Sequence, residues 1–134
     1  MSHFEVESSM LTMGGVFYPT GYMFVMFPTE QDARAAESKL SDDGFATDKV
    51  NLLTPQVIQE KITRTVGGAD IPLPSAGTEA DTVRRYAELA SQGHYALMIH
   101  SPHGEETAHL MEVMKGLPIS YAQKYRQLVI EDLV

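Results

Sequence analysis

The chain contains no cysteine and no tryptophan, carries few basic side chains, and has no apolar run approaching a membrane span. Each absence excludes something. Without thiols there are no disulfides, no thiolate metal ligands and no thiol nucleophile, a composition that fits a reducing compartment. Ten Lys and Arg against 18 Asp and Glu leave a net charge of −8, which repels phosphate backbones and anionic membrane surfaces unless a basic patch overrides it. Arg84-Arg85 is the only basic pair, so neither nucleic acid nor membrane is expected as a partner. No apolar stretch reaches the 18 or so residues of a spanning helix, and the first residues show no basic-then-apolar leader pattern. The expected location is cytoplasmic.

What is present is the pattern of one globular domain. At 134 residues the chain can bury roughly two-thirds of its unfolded surface. After an N-terminal segment (1–21) without clear period, YPTG at 18–21 is expected to turn the chain. YMFVMF (22–27) and YALMIH (95–100) are apolar on both alternating faces, the mark of central strands. KVNLL (49–53) and YRQLVIEDL (125–133) alternate, the mark of edge strands with one solvated side.

Thr29 is the expected cap of a helix whose inner stripe is Ala33, Ala36 and Leu40 and whose stop is Gly44. Thr54-Pro55 opens a second helix with Val57, Ile58, Ile62 and Val66 inward. GGADIPLPSAGT (67–78) is too rich in Gly and Pro for a regular element and is expected to be the most mobile internal segment. Thr78 and Asp81 resemble a capping box, followed by a stripe of Val83, Tyr86, Ala87 and Ala90 ending at Gly93. A last helix is expected over about 103–116.

The resulting order is that of an α+β ferredoxin-like split βαβ sandwich: a four-stranded antiparallel sheet with its first and third strands central, and a helical insertion (55–92) between strands 2 and 3. Two crossover helices cover one sheet face. The other, bearing Tyr22, Phe24 and Met26, is covered by the inserted helices, by the N-terminal segment or by a second subunit; the expectation is a homodimer.

From residue 22 onward a set of positions is similar to the bacterial heat-induced general-stress-protein domain. They are Phe27, Thr29-Glu30, Ala33, Ala36, Leu40, Gly44-Phe45 and Asp48-Lys49-Val50, then Tyr86, Gly93 leading into YALMIH, and Glu105-Glu106. About half the chain takes part in the resemblance. Members typically carry a long Gly/Ala-rich helical insert, whereas residues 55–92 are shorter and more polar here. The resemblance implies the fold and a stress-associated context and transfers no catalytic residue.

HSPHGEETAH (100–109) holds three of the five histidines and two glutamates. His103 and His109 stand about 120° apart around a helix and nearly two turns along it, too far for one metal ion. A tetrahedral shell would have to use His100, His103 and a ligand from elsewhere. The structural reading has His100 closing a strand, His103 near an N-cap, and His109 pairing with Glu105 or Glu106 one turn away. No metal, cofactor or complete catalytic set is expected. GGVFYPTG (14–21) lacks the Lys-Ser/Thr of a phosphate loop, and Asp42-Asp43 reads as solvated acids near a helix end. Three functional readings follow: a non-catalytic regulatory protein acting through self-association or a protein partner; a small-ligand sensor with the architecture of nitrogen-regulatory signalling proteins; or a dimeric α+β barrel enzyme. His100, His103 and Tyr86 are the ligand-binding residues expected for the latter two.

Overall fold

The computed structural model describes residue 10 and residues 16–66, 77–126 and 130–133. Among the described residues five strands form one sheet: β1 (Tyr22–Phe27), β2 (Val50–Leu53), β3 (Tyr95–His100), β4 (Tyr121–Tyr125) and β5 (Ile130–Asp132). Their order is β2-β3-β1-β4-β5, and all neighbours are antiparallel. The two strands apolar on both faces, β1 and β3, lie inside the sheet with Tyr22 opposite His100 and Phe27 opposite Tyr95. An interior strand meets protein on both faces, and their residues at every second position accordingly fall into two separate cores.

The sheet has five strands where four were expected. YRQLVIEDL is not one strand: β4 begins earlier, at Tyr121, ends at Tyr125, and is followed by β5, which pairs back onto it with Lys124 opposite Glu131. The physical reason is that β4 buries Gln123 and Lys124, at 5% and 3% exposure, where an apolar alternation was looked for.

Helix α1 (Glu30–Asp42) starts as its sequence dictates. Thr29 is extended, and its Oγ1 accepts from the Asp32 backbone N–H at 3.1 Å, so one orphan donor is satisfied. Ala33, Ala36 and Leu40 are its buried stripe. Thr54 caps α2 (Pro55–Val57) in the same way, accepting from the Val57 N–H at 3.1 Å. Beyond Val57 the expected regular helix does not continue. The backbone widens into a π turn (Ile58–Ile62) and tightens into a 3₁₀ turn (Thr63–Val66). Thr63 donates both its N–H and, at 3.2 Å, its hydroxyl to the Ile58 carbonyl, and the widened turn leaves Ile58 and Ile62 both fully buried. Helix α3 (Gly77–Ser91) follows, tied to this segment by the Gln59 side chain, which donates to the Ala87 carbonyl at 3.0 Å. The loop read at 67–78, as far as residue 76, and the Thr78 side chain of the capping box lie outside the described residues.

Helices α1 and α4 (Gly104–Val113) cover one face of the sheet, packing with Met23, Val25, Phe27, Leu97 and Ile99. The inserted segment, α3 and Phe17 cover the other, packing with Phe24, Met26, Ala96 and Met98. The second face is therefore closed within one chain. Phe24 and Met26 have no exposed surface and Tyr22 is half-buried, so the apolar side chains on which the homodimer expectation rested are covered by the chain's own elements. Among the described residues no helix is long and apolar enough to cross a membrane.

Candidate functional site

HSPHGEETAH folds as a strand end, a turn and a helix start, and its histidines disperse. His100 closes β3 with its ring against Tyr22, the centroids 4.9 Å apart. His103 is the N-cap of α4, in extended conformation and making no side-chain cap bond. His109 does not pair with Glu105 or Glu106: its Nε2 lies 2.6 Å from Asp43 Oδ2, clasping α4 to the end of α1. Tyr86 is fully buried on the sheet face away from α1 and α4, stacked on Phe24 at 3.9 Å with its hydroxyl 2.8 Å from that of Tyr125. No hydrogen bond or ring contact joins any two of His100, His103 and Tyr86, and among the described residues no three His, Asp or Glu side chains gather to hold a metal ion.

The chemistry of the stretch lies in its hydroxyl residues instead. Ser101 and Thr107 are buried, with Ser101 Oγ 2.8 Å from Thr107 Oγ1. Between them sits the amine of Lys124. Position 124 shares a strand face with Ala122, the face toward α1 and α4, so the side chain runs beneath the turn between β3 and α4. Its Nζ donates to the Ser101 carbonyl and, at 2.5 Å, to Thr107 Oγ1. Glu131 stands opposite Lys124 in the β4–β5 ladder, yet no carboxylate among the described residues forms an ion pair with the amine. Burial lowers the Lys124 pKa from its ordinary value of 10.5; Arg126 acts in the same direction, while Glu131 and Glu106 oppose it.

Lys124 lines a cleft of about 500 Å³. Thr20 and Gly21 before β1, Pro102, Gly104, Thr107, Ala108 and Met111 around the start of α4, and Tyr125, Arg126, Glu131 and Leu133 also line it. None of His100, His103 and Tyr86 is among its lining residues. Gly21 fixes the local geometry, donating its N–H to the Tyr125 carbonyl and accepting from the Ser101 N–H, both at 2.8 Å. It also completes a turn in which the Tyr22 N–H reaches the Pro19 carbonyl, with φ of +86°. That conformation costs a residue with a Cβ about 1–2 kcal/mol. Gly21→Ala should therefore lower unfolding free energy by about that amount in urea denaturation. Gly104→Ala, with open space around its Cβ and ordinary φ, should cost less. Equal losses would mean that Gly21 is not conformationally required.

Two buried groups set the alkaline stability profile. Lys124 releases its proton at lower pH folded than unfolded, so the unfolded chain binds more protons and stability rises with pH up to about 10.5. Tyr86 and Tyr125 are held well above their ordinary value of 10.0, chiefly by burial, so their contribution is fully present below pH 10 and lost above it. Denaturation midpoints should climb into the mildly alkaline range and fall beyond pH 10. Lys124→Met should flatten the rise and Tyr125→Phe should soften the fall; a rise undiminished in Lys124→Met would contradict the burial of that amine.

Sequence reading passed over Lys124 because YAQKY shows no apolar alternation, and its partners lie 17 and 23 residues away in the chain. Comparisons with protein-family models, with curated proteins and with solved structures find no match in any of the three.

Proposed function

We propose that this chain is a non-catalytic regulatory protein of ferredoxin-like fold whose Lys124 cleft takes a small carboxylate-bearing ligand. The fold reading is supported by the two βαβ halves, β1-α1-β2 and β3-α4-β4, interleaved in the order β2-β3-β1-β4, with β5 appended at the edge. The stress-associated context comes from the resemblance of the segments around Thr29-Glu30, Gly44-Phe45 and Gly93, and the carrying observation for the ligand is local. In a chain with only 10 basic side chains, two of them, Lys124 and Arg126, line one cleft, and neither is consumed by a close ion pair. Arg126 Nη1 stands 3.9 Å from Glu131 Oε1, a separation that an incoming carboxylate can displace with a bidentate contact to the guanidinium.

Selection of the sensing reading over a barrel enzyme follows from where the space is. Tyr86 sits in a filled core against Phe24 and Tyr125, whereas the cleft lies at the end of β3 and β4 beside α4. Thermal melts with small monocarboxylates, dicarboxylates and phosphates test the proposal. A ligand at 100-fold its Kd should stabilise the protein by about 2.7 kcal/mol, and Arg126→Gln should abolish most of that gain. No stabilisation by any carboxylate at millimolar concentration would overturn it.

A further inference from the structure

We infer that Lys124 captures the carbonyl of a small 2-oxo acid as an imine in this cleft, an inference that rests on the reading of the cleft as a carboxylate site. A lysine ammonium carries three N–H donors, a neutral amine two and a lone pair. The described residues offer Nζ two oxygens, the Ser101 carbonyl and Thr107 Oγ1, and both are uncharged. Glu131 lies directly across the ladder, where an ammonium would be drawn to it, yet the side chain turns to the neutral pair. With these two acceptors met, one tetrahedral direction of Nζ is left, a third N–H in the ammonium and the lone pair in the neutral amine, on a residue that lines the cleft.

Burial works in the same direction, since a desolvated lysine close to another cation gives up its proton more readily, and the unprotonated amine is the nucleophile. Arg126 supplies that second cation; Glu131 pulls the other way more strongly and Glu106 also opposes it, so burial is the main cause of the lowering. Arg126 is also two residues from Lys124, a separation of about 7 Å along extended backbone. The side chains can therefore address the two ends of one small molecule, the guanidinium its carboxylate and the amine its adjacent carbonyl. In the step itself the Nζ lone pair forms a bond to the carbonyl carbon, giving a carbinolamine. The former carbonyl oxygen then departs as water, the nitrogen loses its protons to solvent, and the C=N bond remains. Thr107 Oγ1, at 2.5 Å, is positioned to relay the first proton. No oxidant or reductant is needed, and hydrolysis reverses the capture.

Incubation with pyruvate and cyanoborohydride, followed by intact-mass measurement and peptide mapping, tests this directly, because hydride delivery to the imine carbon fixes the adduct as a secondary amine. Modification of Lys124 should exceed that of each exposed lysine (Lys39, Lys49 and Lys115) by about tenfold or more, a preference of only about 1.4 kcal/mol. Lactate, which has the carboxylate but no carbonyl, should stabilise the protein and compete with the adduct without forming one. Mapping of the wild-type chain locates the adduct whether or not Lys124→Met folds. Lactate stabilisation with Lys124 unmodified by pyruvate would overturn the imine and leave the carboxylate cleft standing. Absence of both adduct and stabilisation would overturn the two together, and adducts confined to the exposed lysines would overturn the imine.

Discussion

Phe24→Ala is expected to lower the free energy of unfolding by about 3–5 kcal/mol, the largest single effect anticipated for a core substitution in this chain. Phe24 has no exposed surface, stacks on Tyr86 at 3.9 Å and an interplanar angle of 23°, and meets the edge of Phe17 at 5.9 Å. Truncation removes the burial of a large ring, leaves a cavity between sheet and α3, and dissolves two aromatic contacts worth about 0.5–1.5 kcal/mol each beyond their area. Small domains hold only about 5–15 kcal/mol in total, so the variant should approach the limit of folding at 37 °C. Urea denaturation is the measurement, with the midpoint lowered and the slope unchanged. The loss should not depend on protein concentration, because this face is closed by the chain's own inserted helices. A loss that shrinks as concentration rises would show instead that a second subunit covers it.

Thr107→Val should cost about 2–3 kcal/mol although it conserves shape, and the cost should depend on Lys124. The hydroxyl accepts from Nζ and bonds Ser101 Oγ at 2.8 Å, so its loss leaves two buried polar groups short of partners. Each unsatisfied buried group costs about 1–3 kcal/mol. In a Lys124→Met background the amine is absent, and the same substitution should cost roughly 1 kcal/mol. A double-mutant cycle by chemical denaturation gives the difference as the coupling of the pair, expected at about 1–2 kcal/mol. Additive losses would mean that Thr107 does not hold the amine.

Much of the fold was legible in sequence because its rules are local. Thr29 and Thr54 announce their helices through their caps, and the two-sided apolar character of 22–27 and 95–100 marks the inner strands without reference to anything distant. What resisted reading depends on partners far along the chain. Nothing in IQEKI signals a π turn, since its wide winding is fixed by the Thr63 contacts with Ile58 and by packing on the sheet. Strand β4 was hidden by its own interior polar residues, which become intelligible only when Ser101 and Thr107 are brought against Lys124. The same cause misdirected the site. The histidines of HSPHGEETAH are conspicuous by type, yet His103 is exposed and His109 joins α4 to Asp43, whereas the serine and threonine of that stretch hold the buried amine.

The most direct test of the account is an amide correlation spectrum recorded while lactate is added to the wild-type protein near neutral pH. The account predicts saturable shifts concentrated at Gly21, Gly104, Thr107, Lys124 and Arg126, which line the cleft, and at Ser101, whose N–H bonds Gly21, with α3 and the Tyr86 core unmoved. Shifts centred on α3 and Tyr86, or a spectrum unchanged at millimolar lactate, would contradict it.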